Sequence, residues 1–289
     1  MAWARSSAAL SIVLAAITAS ARDARAEDEP VVPPTVPSLA HRTSHFNYQV
    51  LGAGFGAPFS ADAGTAFGLV WFVHFGGEYP MVPAKWYFGA SVDVAFGVIE
   101  GGPPRALYGD PEFWVRGVWT SKGGLEAGGS IGAIVPTASD LNERAAALQR
   151  SVEVIRPWDT AYFSRSSLTL RPAFDVAYAF DWFLVQLRQG LDVSYAVDTN
   201  EGSISGHTDL LLNVTAANAI DIALEAFETY DLTRDLPDAQ RAAFTLGPAV
   251  SLRFPKVRPG LSALVPIGTP LGGDARAFFA MRVFATIFL

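Results

Sequence analysis

From about His45 to Leu289, apolar residues alternate with small or polar ones in segments of about ten residues, the period-two pattern of β-strands. Such segments fall at 45–56, 65–77, 85–99, 111–121, 124–136, 166–180, 183–197, 205–216, 219–230, 242–253, 260–267 and 276–289. The third shows the logic. Trp86, Phe88, Ala90, Val92, Val94, Phe96 and Val98 share one face, while Tyr87, Gly89, Ser91, Asp93, Ala95 and Gly97 share the other. A soluble β-sandwich also alternates, but its oily face points inward and its turns follow no systematic order of length. Here the connections after even-numbered segments are short, as at Ser121-Lys122-Gly123 and Asp181-Trp182, although Phe254 to Pro259 is longer. Those after odd-numbered segments are mostly longer, and one runs from about Thr137 to Arg165. This predicts an all-β fold: a closed antiparallel transmembrane barrel of about twelve strands, with an outward apolar belt about 25 Å tall. An even strand number returns the chain to its starting side, so both ends are expected beside the short turns. A soluble sandwich is the alternative fold.

Aromatic residues follow the same order. Tyr79, Trp86, Trp119, Phe180 and Trp182 stand beside short turns, where a girdle meets lipid headgroups, and Trp114 and Trp158 are expected near the other rim. In the last strand Phe279, Met281, Val283, Ala285, Ile287 and Leu289 form one apolar face, and Phe288 is penultimate. On these features the chain resembles Gram-negative outer-membrane β-barrels over nearly all its length after residue 44. The resemblance implies residence in outer-membrane lipid and insertion by the barrel assembly machinery, which reads a final strand that usually ends in Phe; here Leu289 is last. Ile131-Gly132-Ala133-Ile134-Val135-Pro136-Thr137, a Gly-containing strand ending in Pro-Thr before a long loop, is similar to barrels of the phenol meta-cleavage transporter type. No substrate is carried over from that likeness.

The N-terminus reads differently. Arg5 precedes an apolar core from Ala8 to Ala19, and small residues follow at Ala24 and Ala26, which predicts a secretory signal over 1–26; Ala19-Ser20-Ala21 is a competing cleavage site. Residues 27–44 form a linker carrying Pro30, Pro33, Pro34 and Pro37, and 45–289 form the barrel domain. The absence of cysteine excludes a disulfide scaffold, a thiolate metal site and a lipoprotein anchor. Only 17% of residues are charged, yet no apolar stretch long enough for a spanning helix follows the N-terminus. The net charge of -7, with no basic cluster, argues against a nucleic-acid partner.

Chemistry is sparse. His41, His45, His74 and His207 show no ligand spacing and read as polar strand-end residues, so no metal or other cofactor is expected. Gly52-Ala53-Gly54-Phe55-Gly56 lacks the Lys-Ser/Thr of a phosphate loop and reads as inward glycine in a narrow barrel. Outer-membrane phospholipases and lipid A deacylases place His-x-Ser toward lipid. Here only the reversed Ser205-Gly206-His207 occurs, with inward parity, so a lipid-modifying enzyme is the least favoured class.

The inward parity collects Asp93, Arg116, Glu126, Arg171, Asp175, Gln186, Arg188, Asp192, Asp209, Asn213, Asp221, Glu225 and Arg282. Of these, Asp93, Arg116, Arg171, Asp175, Arg188, Asp192, Asp209 and Arg282 are the lumen or transport candidates. A polar lumen fits a narrow channel for a small solute, or a salt-bridged barrel that conducts nothing. If Asp181-Trp182 is a two-residue turn, Phe180 pairs with Phe183, Asp175 faces Arg188 and Arg171 faces Asp192. In the long loop, Asp140 and Glu143 make a capping-box pair, and Leu141, Ala145, Leu148 and Val152 recur at helical spacing until Pro157. That helix is expected at the barrel mouth, with Asp140, Glu143, Arg150 and Trp158 as gating candidates.

Overall fold

The computed structural model describes residues 44–60, 66–83, 85–99, 105–121, 125–137, 148, 152, 161–164, 166–179, 182–216, 219–233, 241–267 and 278–289. Their elements are strands: β1 His45–Ser60, β2 Ala66–Val82, β3 Trp86–Ile99, β4 Arg105–Tyr108, β5 Glu112–Thr120, β6 Leu125–Ile134 and β7 Ser167–Ala179. There follow β8 Phe183–Ala196, β9 Glu201–Ala216, β10 Ile220–Asp231, β11 Ala242–Leu252, β12 Val257–Ile267 and β13 Phe278–Phe288. Each pairs antiparallel with its neighbour, and β13 pairs with β1 from His45↔Phe288 to Phe55↔Phe278, which closes the sheet. β4 and β5 pair successively with β3, at Gly97↔Arg105 and Ser91↔Glu112, and together make one stave. The result is a closed antiparallel barrel of twelve staves. Closure removes the outward backbone edges that lipid would penalise heavily, apart from β4, which among the described residues pairs with β3 alone.

The alternation assigns the faces. Outward residues include the large apolar side chains, among them Trp86 at 51%, Trp119 at 59% and Trp182 at 61% exposure, all beside short turns. At the C-terminal end Met281, Val283 and Leu289 are exposed, while Phe288 is buried with the Arg258 guanidinium 4.8 Å from its ring centroid. An exterior this apolar is the surface of a membrane-spanning barrel, because nothing but lipid would cover it without cost. All thirteen inward polar residues expected from parity are buried.

Several expectations need correction. The strand expected over 111–121 is β5, but it is preceded by β4, in a stretch expected to be a connection, and register slips by one residue between them, so Leu107 and Glu112 both point inward across a bulge at Gly109-Asp110-Pro111. β2 runs on to Val82, β9 begins at Glu201 and β12 at Val257, because charged and proline residues at strand ends mask the alternation there. The connection between β8 and β9 is short, residues 197–200, although it lies on the long-loop side. Gly52 faces outward under Trp71: a Cβ there would sit 2.7 Å from the indole. Trp114 lies inside the barrel, away from the rim, and its indole donates to Glu78 at 2.6 Å.

That indole occupies the space over Gly89, where an added Cβ would overlap it outright. Gly89→Ala is therefore expected to destabilise the barrel by about 1–3 kcal/mol through overpacking, read by urea unfolding in detergent. An unchanged midpoint would mean that Trp114 has another place to go. The signal and linker, residues 1–43, and the loop candidates Asp140, Glu143, Arg150 and Trp158 lie outside the described residues, as does Phe180. So does the helix expected over 140–156, of which only Leu148 and Val152 are described.

Candidate functional site: the charged lumen

Inward side chains form three layers. Nearest the short turns, Tyr87, Val118, Ala177, Leu184, Leu211, Ala223, Ala249 and Phe284 make an apolar cluster. Toward the long loops a second cluster contains Leu51, Val70, Phe72, Leu107, Ile134, Phe227 and Leu264. Charged side chains of both signs lie between and beside them, held inside because ionised groups facing hydrocarbon cost about 2–4 kcal/mol at the midplane.

The register between β7 and β8 is the one a two-residue turn at Asp181-Trp182 imposes. Asp175 is the Cα partner of Arg188, and Arg188 Nη1 lies 3.6 Å from Asp175 Oδ1. Arg171 grips Asp192 through two parallel bonds, Nε to Oδ1 at 2.6 Å and Nη2 to Oδ2 at 2.8 Å. This fork-on-carboxylate geometry is the strongest form of such a pair. Arg116 likewise binds Glu78 at 2.5 and 3.0 Å and lies 4.5 Å from the Tyr87 ring centroid. Arg282 donates to Glu225 and, at 2.7 Å, to Ser262. Asp93 is in a different environment, 2.7 Å from His74 Nδ1. Arg188 is also the Cα partner of Asp209, so Asp175, Arg188 and Asp209 form a transverse row across three strands.

Glu78, Glu112, Arg258 and Tyr162 were not among the sequence candidates. Glu78 stands just past the expected end of its strand, while Glu112 shares the parity of Arg116 and was readable from that spacing alone. Arg258 precedes the expected start of its strand. Tyr162 had no signal, since it belongs to a connection. Two of the histidines expected at strand ends are instead strand-interior partners of carboxylates: His74 of Asp93, and His207, whose Nε2 is 3.6 Å from Asp192. Among the described residues no group of three or more His, Asp or Glu is placed to hold a metal.

Described residues of the connection between β6 and β7 lie inside the barrel. Ala161, Tyr162 and Phe163 form a short 3-10 turn and are buried in the outer apolar cluster together with Leu148 and Val152. Phe163 meets Phe72 edge-on at 5.7 Å. The Tyr162 hydroxyl donates to Glu112 and accepts from Arg171 Nη1 at 3.0 Å, and its carbonyl accepts from the Asp110 N–H at 2.7 Å. Thus the β4–β5 bulge supplies Asp110, and the Arg171–Asp192 fork supplies the ring partner. Both hold one turn of chain against the inner wall of the barrel.

Two solved structures share this architecture. An outer-membrane channel from Pseudomonas putida F1 aligns over 90% of this chain and 100% of its own, with a TM-score of 0.60 and 8% identity. The NanC porin aligns over 84% and 100%, with a TM-score of 0.55 and 9% identity. At such identities the likeness is one of fold: that of Gram-negative outer-membrane β-barrels. No family model matches the sequence, and no curated protein matches it, so the likeness to phenol meta-cleavage barrels rests on Ile131–Thr137 alone.

Proposed function

We propose that this chain is an outer-membrane channel that passes small polar solutes through a narrow, charge-lined lumen, closed in this conformation by Ala161–Phe163. The observation that carries the reading is how the lumen is filled. Barrels of about eight strands are filled by their own strand side chains, and those of sixteen or more stay open. Here, in a barrel of twelve staves, Leu148, Val152 and Ala161–Phe163 of a connecting segment are buried among the strand side chains of the interior. A plug brought by a connection can leave without unpairing a strand. The reading takes the barrel as non-enzymatic, exported with loss of an N-terminal signal, inserted by the assembly machinery and surrounded by outer-membrane lipid.

A second reading, a salt-bridged barrel that conducts nothing, is favoured by the near-complete burial of Arg116, Arg258 and Arg282. Swelling of proteoliposomes separates the two. With the refolded barrel, vesicles placed in glycine should swell faster than empty ones, while a trisaccharide should give no difference. Equal rates in glycine with and without protein would support the closed structural barrel and contradict the channel.

A further inference from the structure

Three acids in the middle of the lumen have an arginine each. Glu78 is held by Arg116, Asp175 by Arg188 and Glu225 by Arg282. Asp209 is the fourth acid of this belt and has no arginine of its own. It is 5% exposed, and neither carboxylate oxygen has a hydrogen-bond partner. Arg188, its Cα partner, turns to Asp175 and to the Ser130 hydroxyl at 3.3 Å. Arg282, also within electrostatic reach, is engaged by Glu225 and Ser262. On its other side the Cα partner is Phe227, which offers no polar group. A carboxylate buried without hydrogen bonds is costly, so it either takes up a proton or finds a donor from outside the protein.

We infer that Asp209 is a binding site for the primary ammonium group of a small solute passing through the lumen, an assignment that rests on the channel reading above. Charge supports this. The belt sets Glu78, Asp175, Asp209 and Glu225 against Arg116, Arg188 and Arg282, an excess of one acid over the arginines, with His45 also acting on Glu78. Shape does too: an ammonium presents several N–H donors to two unpartnered carboxylate oxygens, and the metal ions that demand several ligands lack a suitable group of side chains among the described residues. Phe227 beside the carboxylate suits the short carbon chain that such a solute carries.

The test uses equilibrium binding together with selectivity. The barrel refolded in detergent is heated in methylammonium chloride, potassium chloride or tetramethylammonium chloride at equal ionic strength, and the same series is run on Asp209→Asn. Methylammonium should raise the Tm of the wild-type barrel above its value in tetramethylammonium, which has no N–H. The difference should vanish in Asp209→Asn, because only the state that binds is stabilised. In planar bilayers under a salt gradient, the cation preference of the wild type should fall severalfold in that variant. A Tm that ignores methylammonium, as expected of a carboxyl that carries its own proton, would overturn the site even in a barrel that conducts. An equal rise with potassium would overturn the ammonium assignment. Loss of the rise in Asp209→Asn without any conductance in either protein would uphold the site and defeat the channel reading alone. The wild-type comparison decides the question even if the variant fails to fold.

Discussion

Replacing Asp192 with alanine is expected to cost the barrel about 3–5 kcal/mol, the loss that follows when one member of a buried ion pair is removed and the other stays. Arg171 would keep Glu112, at 3.6 Å, and the Tyr162 hydroxyl, but lose its two short bonds to Asp192. Asp192→Asn should cost less, because its side-chain oxygen still accepts from Arg171. Urea unfolding in micelles, followed by the mobility difference between folded and unfolded barrel on gels, gives both numbers. A loss below about 1 kcal/mol for the alanine variant would mean that Glu112 takes over the guanidinium and that the fork is not what holds this end of the lumen. The same variant should loosen the plug, since Arg171 also donates to Tyr162 and lies 4.9 Å from its ring centroid.

The charge swap between β7 and β8 has the second large effect. Asp175→Arg sets two guanidinium groups opposite each other at a buried position, where Arg116 also lies within electrostatic reach. Like charges taken out of water repel strongly, so the expected loss is at least about 3 kcal/mol, with poor refolding. Adding Arg188→Asp restores the opposite signs and should recover more than half of that loss. The swap falls short of full recovery because the introduced guanidinium would face Arg116, and because the bond that Gln186 gives Asp175 at 3.3 Å is lost. A double variant no better than the single one would contradict the pairing, and with it the register that places every other inward side chain.

Sequence pattern carried the barrel, its faces and this register because each follows from a local rule. Alternation fixes which side chain faces lipid, and a tight turn fixes which residues oppose each other. Arg171 with Asp192 and Asp175 with Arg188 were legible for that reason. Glu78 and Arg258 escaped because strand ends are blurred by turn residues, so their parity could not be extended to them. The break between β4 and β5 was hidden for the opposite reason: Gly109-Asp110-Pro111 looks like an ordinary strand boundary, whereas it is a bulge that keeps one stave going with its faces exchanged. The arginine partners that span more than one strand, Arg116 with Glu78 and Arg282 with Glu225, depend on barrel closure and side-chain length, which no single segment encodes. Tyr162 and Phe163 lie in a connection without alternation, and their place inside the lumen is set by what the barrel leaves unfilled.

Single-channel recording in planar bilayers tests the central claim most directly, comparing the wild-type barrel with a Tyr162→Ala, Phe163→Ala variant. Removing both rings deletes the hydroxyl that joins Glu112 to Arg171 and the edge-on contact with Phe72, while leaving every strand pair intact. The account predicts brief, small openings for the wild type and longer-lived openings of severalfold higher conductance for the variant. Folded variant protein that inserts yet opens no longer and conducts no more than the wild type would contradict it.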